Sequence, residues 1–288
     1  MGFKDILVAL DTGAAARGRI ELAASLAGRF DAHLIGLHTT VAAEAPRGRG
    51  YFELFDRSLL DPLYHEFAEK MQAEADAARS LFEEITKRRG LSAEWRSASS
   101  ATSGSPSGIT ALHGRYADLI VLGQLDPDDI SAPLFRPLPE EVALAVGRPI
   151  LVIPYAGSWP EIGRRVLIGW DDSREATRAI NDAMPLLKGA DTVTILAVDP
   201  ASGAAGHGEV PGADIGLHLA RHGVKAAIER TVSASIGAGN ALLSRASDLE
   251  ADLLVMGAYG HSRVRELLLG GATRTVLQSM TLPVLMAH

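Results

Sequence analysis

A long internal repeat constrains the fold of this chain more than any other feature of its sequence. The segment ADLIVLG, residues Ala117–Gly123, recurs as ADLLVMG, residues Ala251–Gly257. We call this alignment the glycine register, because it pairs Gly123 with Gly257. It continues without a gap to Pro149 and Pro283. Near the start of each half, DILVALDTG and RVLIGWDDS align Asp11 with Asp171, which defines a second alignment, the aspartate register. A repeat of about 140 residues is far longer than a solenoid unit, so it predicts a tandem duplication of one domain.

Short apolar runs alternate with helical patterns in both halves. Runs without polar alternation are typical of strands that are buried on both faces of a parallel sheet. The predicted strands are Ile6–Leu10, Leu34–Leu37, Leu119–Leu122, Ile150–Ile153, Val166–Trp170, Val193–Val198, Leu253–Met256 and Val284–Met286. The predicted helices include Ala14–Arg29, Leu63–Arg89, Glu175–Leu187 and Ile215–His222. Strands that alternate with helices predict βαβ units and an α/β fold.

The two registers predict domains at residues 1–155 and 164–288. The junction Tyr155–Arg165 is short and has no flexible Gly/Ser tract, which favours halves that pack together. The two registers have different offsets because the first half carries an insertion, most of it within Val41–Arg89. The later part of this insertion predicts an amphipathic helix over the sheet. Its earlier part fits either a partner surface or a lid.

Composition excludes several classes of function. The 288-residue chain has a formal net charge of −7, which argues against a broad surface for nucleic acid or for an anionic membrane. It has no cysteine, which rules out disulfides and thiolate metal sites. It has no apolar run of the ~18–20 residues that a membrane span needs, and MGFKDILVALD lacks a signal-peptide pattern. We therefore expect a cytoplasmic protein with no nucleic-acid or membrane partner.

Four glycines lie in the stretch MGAYGHSRVRELLLGGATRTV, residues Met256–Val276. Gly257 follows an apolar strand, and Gly270 and Gly271 precede a helical pattern over Thr273–Met280. Open α/β sheets bind ligands at such strand ends, and a helix N-terminus offers free N–H groups to a phosphate. The spacing matches neither G-x-G-x-x-G nor the Walker-type motif. The residues alone leave phosphate binding and ordinary turn and cap glycines both open.

In this context the stretch resembles the adenine-nucleotide-binding motif of the universal stress protein (UspA-type) family. The resemblance rests on a first strand that ends in Asp171, on ADLLVMG, on the G-x2-G-x9-G spacing and on a closing strand that begins at Pro283. It covers both halves, as in tandem members of the family. It implies two Rossmann-like domains, each with a five-stranded parallel sheet of order 3-2-1-4-5 and helices on both faces. It also implies ATP, with or without Mg, as the ligand of the C-terminal half.

The resemblance further implies a set of nucleotide-contacting residues. Asp171 would hydrogen-bond the ribose or adenine region, and Val198 would meet the adenine through its backbone. The loop glycines would wrap the phosphates, and main-chain N–H groups at the helix start would receive them. The full set is Asp171, Val198, Met256, Gly257, Gly260, Gly270, Gly271, Ala272 and Thr273. The family has a Ser or Thr where this chain has Gly271, and Thr273 is the hydroxyl that would replace it.

The N-terminal half provides an internal comparison for these glycines. In the glycine register, the last three glycines of the motif become Asp126, Arg136 and Pro137, and only Gly123 remains. A carboxylate repels phosphate, an arginine fills its space, and a proline removes an N–H donor. Glycines needed only for the fold would recur in both halves. We therefore predict that the C-terminal half binds nucleotide and that the N-terminal half is a degenerate structural copy.

Other candidate residues have simpler interpretations. His218 and His222 have the i,i+4 spacing of a metal pair, but they lie at a helix end that favours surface histidines, so we expect no metal site. The serine-rich segment Ser97–Gly108 is predicted to be a flexible loop. Asp172 and Ser173 are alternative N-caps of the helix that follows the repeated aspartate.

The sequence contains no catalytic triad and no evident general base directed at a γ-phosphate. We therefore expect a universal stress protein with a regulatory or protective role, not an enzyme, in which any ATP hydrolysis is slow or incidental. The alternatives are a nucleotide-independent interaction scaffold and, ranked below it, a slow ATPase or phosphotransfer enzyme. The two halves are expected to form an intramolecular pseudo-dimer, and two chains are expected to form a homodimer.

Overall fold

The structure is a computed structural model, and it describes residues 2–40, 57–100, 104–129, 136–200, 211–260 and 271–288. The first half contains β1 (Asp5–Leu10), α1 (Ala16–Phe30), β2 (His33–Thr40), α2 (Arg57–Arg89), β3 (Ala93–Ser99), α3 (Pro106–Gly114), β4 (Leu119–Gly123), α4 (Pro139–Val146) and β5 (Ile150–Ile153). The second half contains β6 (Arg165–Trp170), α5 (Arg174–Leu187), β7 (Thr192–Val198), α6 (Ala213–Arg221), β8 (Ala227–Thr231), α7 (Gly237–Asp248), β9 (Leu253–Gly257), α8 (Ala272–Ser279) and β10 (Val284–Ala287).

The strands form one ten-stranded sheet in the order β3-β2-β1-β4-β5-β10-β9-β6-β7-β8. Within each half the strands are parallel in the order 3-2-1-4-5, so the predicted fold is confirmed. β5 and β10 pair antiparallel, with Leu285 opposite Leu151 at the centre of the paired segment. Leu285 is also the repeat of Leu151 in the glycine register, so the halves meet about a local two-fold relation. The two sheets are therefore continuous with each other.

Each face of the sheet has its own apolar core. In β1, Ile6 and Val8 belong to one core, whereas Leu7 and Ala9 belong to the other. All four side chains are buried, so this strand has no side that faces solvent. Burial on both faces explains why the sequence of such a strand is a continuous apolar run.

The aspartate of the repeated ADL motif has a structural role in both halves. Oδ2 of Asp118 accepts hydrogen bonds from the backbone N–H groups of Lys4 and Asp5, at 2.7 and 3.2 Å. Asp252 accepts in the same way from the N–H group of Gly163, at 2.8 Å. These bonds connect the start of the fourth strand of each half to the start of its first strand. The motif therefore recurs for reasons of folding that are independent of any ligand.

The edge of the sheet is where the sequence-based interpretation is least accurate. β3 and β8 are the two outermost strands, and their side chains are mostly half-buried or exposed, so neither forms an apolar run. The prediction that Ser97–Gly108 is a loop is wrong at both ends of that segment. Its first three residues end β3, and α3 begins at Pro106. The hydroxyl of Ser105 caps α3 by accepting from the N–H group of Gly108 at 3.2 Å.

The long helix predicted within the insertion is present as α2. Ala78, Phe82 and Ile85 on one side of α2 are buried in the apolar core, as expected for an amphipathic helix that covers the sheet. The earlier part of the insertion, residues 41–56, lies outside the described residues, so the choice between a partner surface and a lid stays a prediction. None of the helices that the structure describes is both long enough and apolar enough to span a bilayer.

Candidate functional site

The C-terminal half contains a cavity of about 400 Å³ at the carboxyl ends of β6, β7 and β9. Open α/β sheets bind their ligands at this edge. The cavity is lined by every member of the predicted set that lies within the described residues, namely Asp171, Val198, Met256, Gly257, Gly260, Gly271, Ala272 and Thr273. Gly270 lies outside the described residues. The structure thus brings together positions that are far apart in the sequence.

The cavity has further lining residues that the sequence analysis did not identify. These are Gly169, Trp170, Leu196, Asp199, Ala238 and Leu242. Asp199 directly follows β7, just as Asp171 directly follows β6, so its position after a buried strand is a signal that could have identified it. Ala238 and Leu242 belong to α7, and no motif in the sequence indicates that this helix borders the cavity.

Asp199 is held in place by Ser233, which follows β8. Oδ1 of Asp199 accepts from the N–H group of Ser233 at 2.9 Å, and its other carboxylate oxygen accepts from the Ser233 hydroxyl. These two hydrogen bonds hold the pKa of Asp199 below its ordinary value. Asp199 and Asp171 therefore supply two carboxylates to the cavity from the ends of adjacent strands.

The remaining wall of the cavity is apolar. Leu196, Leu242 and Met256 belong to the core on this face of the sheet and extend it to the cavity. An apolar wall beside carboxylates and a helix N-terminus suits a ligand that has a flat apolar ring, hydroxyl groups and an anionic tail.

The N-terminus of α8 borders the same cavity. Gly271 is the N-cap of α8, and no side chain among the described residues caps this helix end. The first N–H groups of α8 are therefore available to an anion. Thr273 is only 3% exposed, and its Oγ1 accepts from the N–H group of Tyr259 at 3.1 Å. Thr273 thus connects the loop after β9 to α8, a structural role that the sequence analysis did not assign to it.

Gly257 and Gly260 lie close to the N-terminus of α5. A Cβ atom added at Gly257 would lie 2.6 Å from the amide nitrogen of Ala176, and one added at Gly260 would lie 3.1 Å from Oε2 of Glu175. Neither neighbour moves easily, because one is helix backbone and the other is a buried carboxylate. Packing against α5 therefore favours glycine at both positions, in addition to the predicted phosphate contact.

The aspartate after β6 organises the start of α5. Oδ1 of Asp171 accepts from the N–H group and from the hydroxyl of Ser173, at 3.1 and 2.6 Å. Oγ of Ser173 in turn accepts from the N–H group of Ala176 at 3.0 Å. The N-cap of α5 is therefore Ser173 and not Asp172.

Glu175 is a buried carboxylate beside the loop that follows β9. Burial raises the pKa of Glu175, but the hydrogen bond from Arg174 at 2.5 Å and the charge of His288 act in the opposite direction and leave the pKa below its ordinary value. In the aspartate register the N-terminal half has Ala15 at this position. A charged carboxylate here repels phosphate, so we assign Glu175 a role in positioning the loop.

The N-terminal half uses its equivalent aspartate in an internal ion pair. Oδ2 of Asp11 lies 2.5 Å from Nη2 of Arg19, whose side chain is only 4% exposed. Arg136, which replaces Gly270 in the glycine register, lies 4.0 Å from the same carboxylate. Burial raises the pKa of Asp11, but the two guanidinium groups and a backbone N–H group outweigh it and hold the pKa below its ordinary value. Asp11 is therefore already bound by the protein's own arginines.

The C-terminal half differs at the position that corresponds to Arg19. The aspartate register places Ala179 there, on the buried face of α5. Ala179 supplies no charged group to Asp171. The sequence comparison identified the difference in the glycine loop but missed this second difference, because Arg19 lies in a helix outside the motif.

The two histidines of α6 do not line this cavity. The ring centroids of His218 and His222 are 4.6 Å apart. Among the described residues, no group of three or more His, Asp or Glu side chains is arranged to hold a metal ion.

Comparisons with known proteins identify relatives of this chain. The model of the universal stress protein family matches residues 163–288. The universal stress protein Slr1230 of Synechocystis sp. (strain ATCC 27184 / PCC 6803 / Kazusa) is 42% identical over 62 residues, which make up 21% of this chain. This match spans only 22% of the length of that relative.

Solved structures match almost the whole chain in fold. A universal stress protein from Archaeoglobus fulgidus DSM 4304 is 15% identical, with a TM-score of 0.71, and the match covers 98% of this chain and 95% of that one. The functionally unknown protein PA1789 from Pseudomonas aeruginosa PAO1 is 16% identical, with a TM-score of 0.54, and the match covers 98% and 92% of the two chains. At these identities the likeness concerns the fold alone.

Proposed function

We propose that this chain, which belongs to the universal stress protein family through its domain at residues 163–288, binds ATP in the cavity of that domain. In this proposal the N-terminal half is a structural copy that binds no nucleotide. Nucleotide occupancy would bias the conformation of the protein or its choice of partner, in a regulatory or protective role under stress. The proposed setting is the cytoplasm, and the proposed assembly is a homodimer.

One observation carries the proposal. The predicted residues that the structure describes converge on a single cavity, where carboxylates, an apolar wall and the N-terminus of α8 lie side by side. The equivalent position in the N-terminal half combines Asp11 with two arginines. The chain thus keeps the fold in both halves but keeps the groups suited to a nucleotide in only one.

The residues of the cavity suggest how an adenine nucleotide would be held. The apolar side chains Leu196, Leu242 and Met256 would pack against the base, and Asp171 would accept hydrogen bonds from the ribose or adenine region. The phosphates would lie against the first turn of α8, where free N–H groups and the helix dipole attract an anion. A Mg²⁺ ion, where present, would neutralise part of the phosphate charge.

We propose binding without rapid turnover. Asp171 and Asp199 accept hydrogen bonds from Ser173 and Ser233, which fixes these carboxylates beside the strand ends. Glu175 is paired with Arg174. These side chains act in positioning, so hydrolysis is proposed to be slow or incidental.

The test is isothermal titration calorimetry of the full chain with Mg-ATP, together with measurement of nucleotide released on denaturation. Ala272→Leu introduces into the cavity the residue that the N-terminal half has at this position, Leu138. We expect this change to weaken ATP binding by at least tenfold, because the larger side chain occupies the space at the start of α8. Ala145→Leu is the matched control, since it makes the same change at an exposed position of α4, and it should leave the affinity unchanged.

Other outcomes would contradict the proposal. If the wild-type chain releases no nucleotide and binds no Mg-ATP, the interaction scaffold becomes the better interpretation. If ATP is instead consumed over many rapid turnovers, the chain is an enzyme.

A further inference from the structure

A second cavity, of about 660 Å³, lies between the two halves of the molecule, where α4 of one half faces α8 of the other. It is larger than the cavity of about 400 Å³ that we assign to the nucleotide. It is lined by Gln124, Leu125, Pro127, Pro139, Glu140, Glu141, Leu144, Tyr259, Gly271, Arg274, Leu277 and Gln278. Neither the glycine motif nor the family resemblance accounts for this cavity.

The duplication itself builds this cavity. Leu125 and Tyr259 face it from positions of the two halves that are equivalent in the glycine register. Glu140 and Arg274 form a second equivalent pair, at the first turns of α4 and α8. The cavity therefore lies at the local two-fold relation that also governs the pairing of β5 with β10, and it requires both halves.

The side chain of Gln124, which is 7% exposed, forms hydrogen bonds with backbone groups at the junction of the two halves. Its Nε2 donates to the carbonyl oxygens of Leu277 and Gln278, at 2.9 and 3.3 Å, and its Oε1 accepts from the N–H group of Tyr155 at 3.3 Å. These bonds hold the end of α8 against the N-terminal half. Gln124 therefore lines the cavity and also connects the two halves beside it.

The wall of the cavity is largely apolar, through Leu125, Pro127, Leu144 and Leu277, with the ring of Tyr259 beside them. Sites for small molecules combine such a wall with a few polar groups that orient the ligand. An apolar body of the size of a two-ring aromatic system would fit within this volume.

The charged side chains among the described lining residues sum to a net negative charge. Within the part of the chain that the structure describes, Glu140 and Glu141 form no ion pair, and neither does the single base, Arg274. Two carboxylates against one guanidinium favour a cationic ligand. Half-buried Glu140 contributes more to this preference than Glu141, which is exposed and therefore screened by solvent.

We propose that this interdomain cavity binds a small organic ammonium compound, whose apolar body packs against Leu144, Tyr259 and Leu277 and whose charged group faces Glu140 and Glu141. The site is separate from the nucleotide cavity, although both are bordered by Gly271 and the start of α8. The proposal does not depend on nucleotide binding.

The test compares three indole compounds that differ in charge: tryptamine, which is a cation, tryptophol, which is neutral, and indole-3-propionate, which is an anion. Binding to the full chain is measured by calorimetry without nucleotide. Tryptamine is expected to bind at least tenfold more tightly than indole-3-propionate, with tryptophol between them. Equal affinities for cation and anion, or no binding of any of the three, would overturn the proposal.

Two double variants test whether Glu140 and Glu141 cause the preference for the cationic compound. The double change Glu140→Gln and Glu141→Gln should abolish the preference for tryptamine while tryptophol still binds. A control with the same change in net charge, Glu66→Gln and Glu69→Gln on the exposed face of α2, should preserve it. If both double variants lose the preference equally, the effect is one of overall charge and the proposed contact is wrong.

Two further changes fill the cavity from opposite walls, so the test does not depend on one variant folding. Leu144→Trp and Gln278→Trp should each reduce the binding of all three compounds at least tenfold, with unchanged circular dichroism. Ala272→Leu, which fills the nucleotide cavity, should leave tryptamine binding intact. Loss of tryptamine binding in Ala272→Leu alone would place the compound in the nucleotide cavity and contradict the proposal.

Discussion

The aspartate that ends the first strand of each half has a different partner in each, and two separate Asp→Asn changes test this difference. Asp11→Asn removes the charge that faces Arg19, a buried guanidinium whose Nη2 lies 2.5 Å from the Asp11 carboxylate. A hydrogen bond to a charged group contributes about 1.5–3 kcal/mol, and loss of one partner of a fully buried ion pair costs about 3–5 kcal/mol. Because the side chain of Asp11 is 20% exposed, we expect a loss of about 2–3 kcal/mol, which is below the cost for a fully buried ion pair and within the range for a hydrogen bond to a charged group.

Asp171→Asn should behave differently. The asparagine oxygen can still accept from the N–H group and hydroxyl of Ser173, and the place of Arg19 is taken by Ala179. We therefore expect a smaller loss of stability than Asp11→Asn causes, because Asp171 does not face a buried arginine in α5. The affinity for ATP should fall by roughly tenfold, since a charge-assisted hydrogen bond to the ligand becomes a neutral one.

The pH dependence of the stability difference between wild type and Asp11→Asn provides a second test of the Asp11 ion pair. Burial raises the pKa of Asp11, but Arg19 and Arg136 outweigh it, so the folded-state pKa lies below the ordinary value of 3.8. A carboxylate with a lowered pKa stabilises the fold fully above its ordinary pKa and loses that contribution as the pH falls through the folded-state value. The stability difference between wild type and Asp11→Asn should therefore be constant near neutral pH and shrink below about pH 4.

Urea denaturation followed by circular dichroism measures the stability of both variants, and calorimetry measures ATP affinity. Each variant is the control for the other, because both make the same change at the same position of the repeat. The reasoning would be refuted if Asp11→Asn cost less than about 1 kcal/mol, the level of an exposed ion pair. It would equally fail if both variants lost the same stability, since the buried arginine would then have no effect.

Three further predictions concern stability. Gly257→Ala should destabilise the protein by about 1–3 kcal/mol in urea denaturation, because the new Cβ would lie 2.6 Å from the backbone of α5. Gly18→Ala is the control: it lies in open space on α1 and should stabilise the protein by about 0.5–1 kcal/mol. Burial lowers the pKa of His38 below its ordinary value of 6.5, so stability should fall as the pH drops below that value, and His38→Gln should remove this part of the pH dependence. Gln124→Ala should lower the free energy of unfolding by about 1–3 kcal/mol, because the carbonyl groups at the end of α8 lose their hydrogen-bond donor. It should also increase the rate of amide hydrogen exchange at the end of α8. An unchanged exchange rate would show that Gln124 does not hold the halves together.

Local patterns were sufficient to predict the central strands and the edge of the sheet that carries the cavity. A strand such as β1 is buried on both faces, so its sequence is an unbroken apolar run that can be recognised without any tertiary information. Asp171 and Gly257 follow such runs directly, which is why both could be assigned to the candidate site. β3 lies at the edge of the sheet and has partly exposed side chains, so it has no such pattern.

The candidate site was predictable only where its residues lie at strand ends or in the glycine motif. Asp199 follows a predicted strand and was still missed, because the resemblance assigned that strand end to Val198. Ala238 lines the cavity from α7, and Arg19 reaches Asp11 from α1. These two positions depend on how a helix packs against the sheet, which no short motif encodes.

By itself, the sequence determined the duplication, the α/β class and the parallel strands of each half, because repeats and buried strands leave a local signature. Only the tertiary structure decided that β5 and β10 join the halves, that Arg19 neutralises Asp11, and that a cavity remains between α4 and α8. Each of these features depends on contacts between distant parts of the chain. The hydrogen bonds and packing that select such contacts form only when the whole chain is folded.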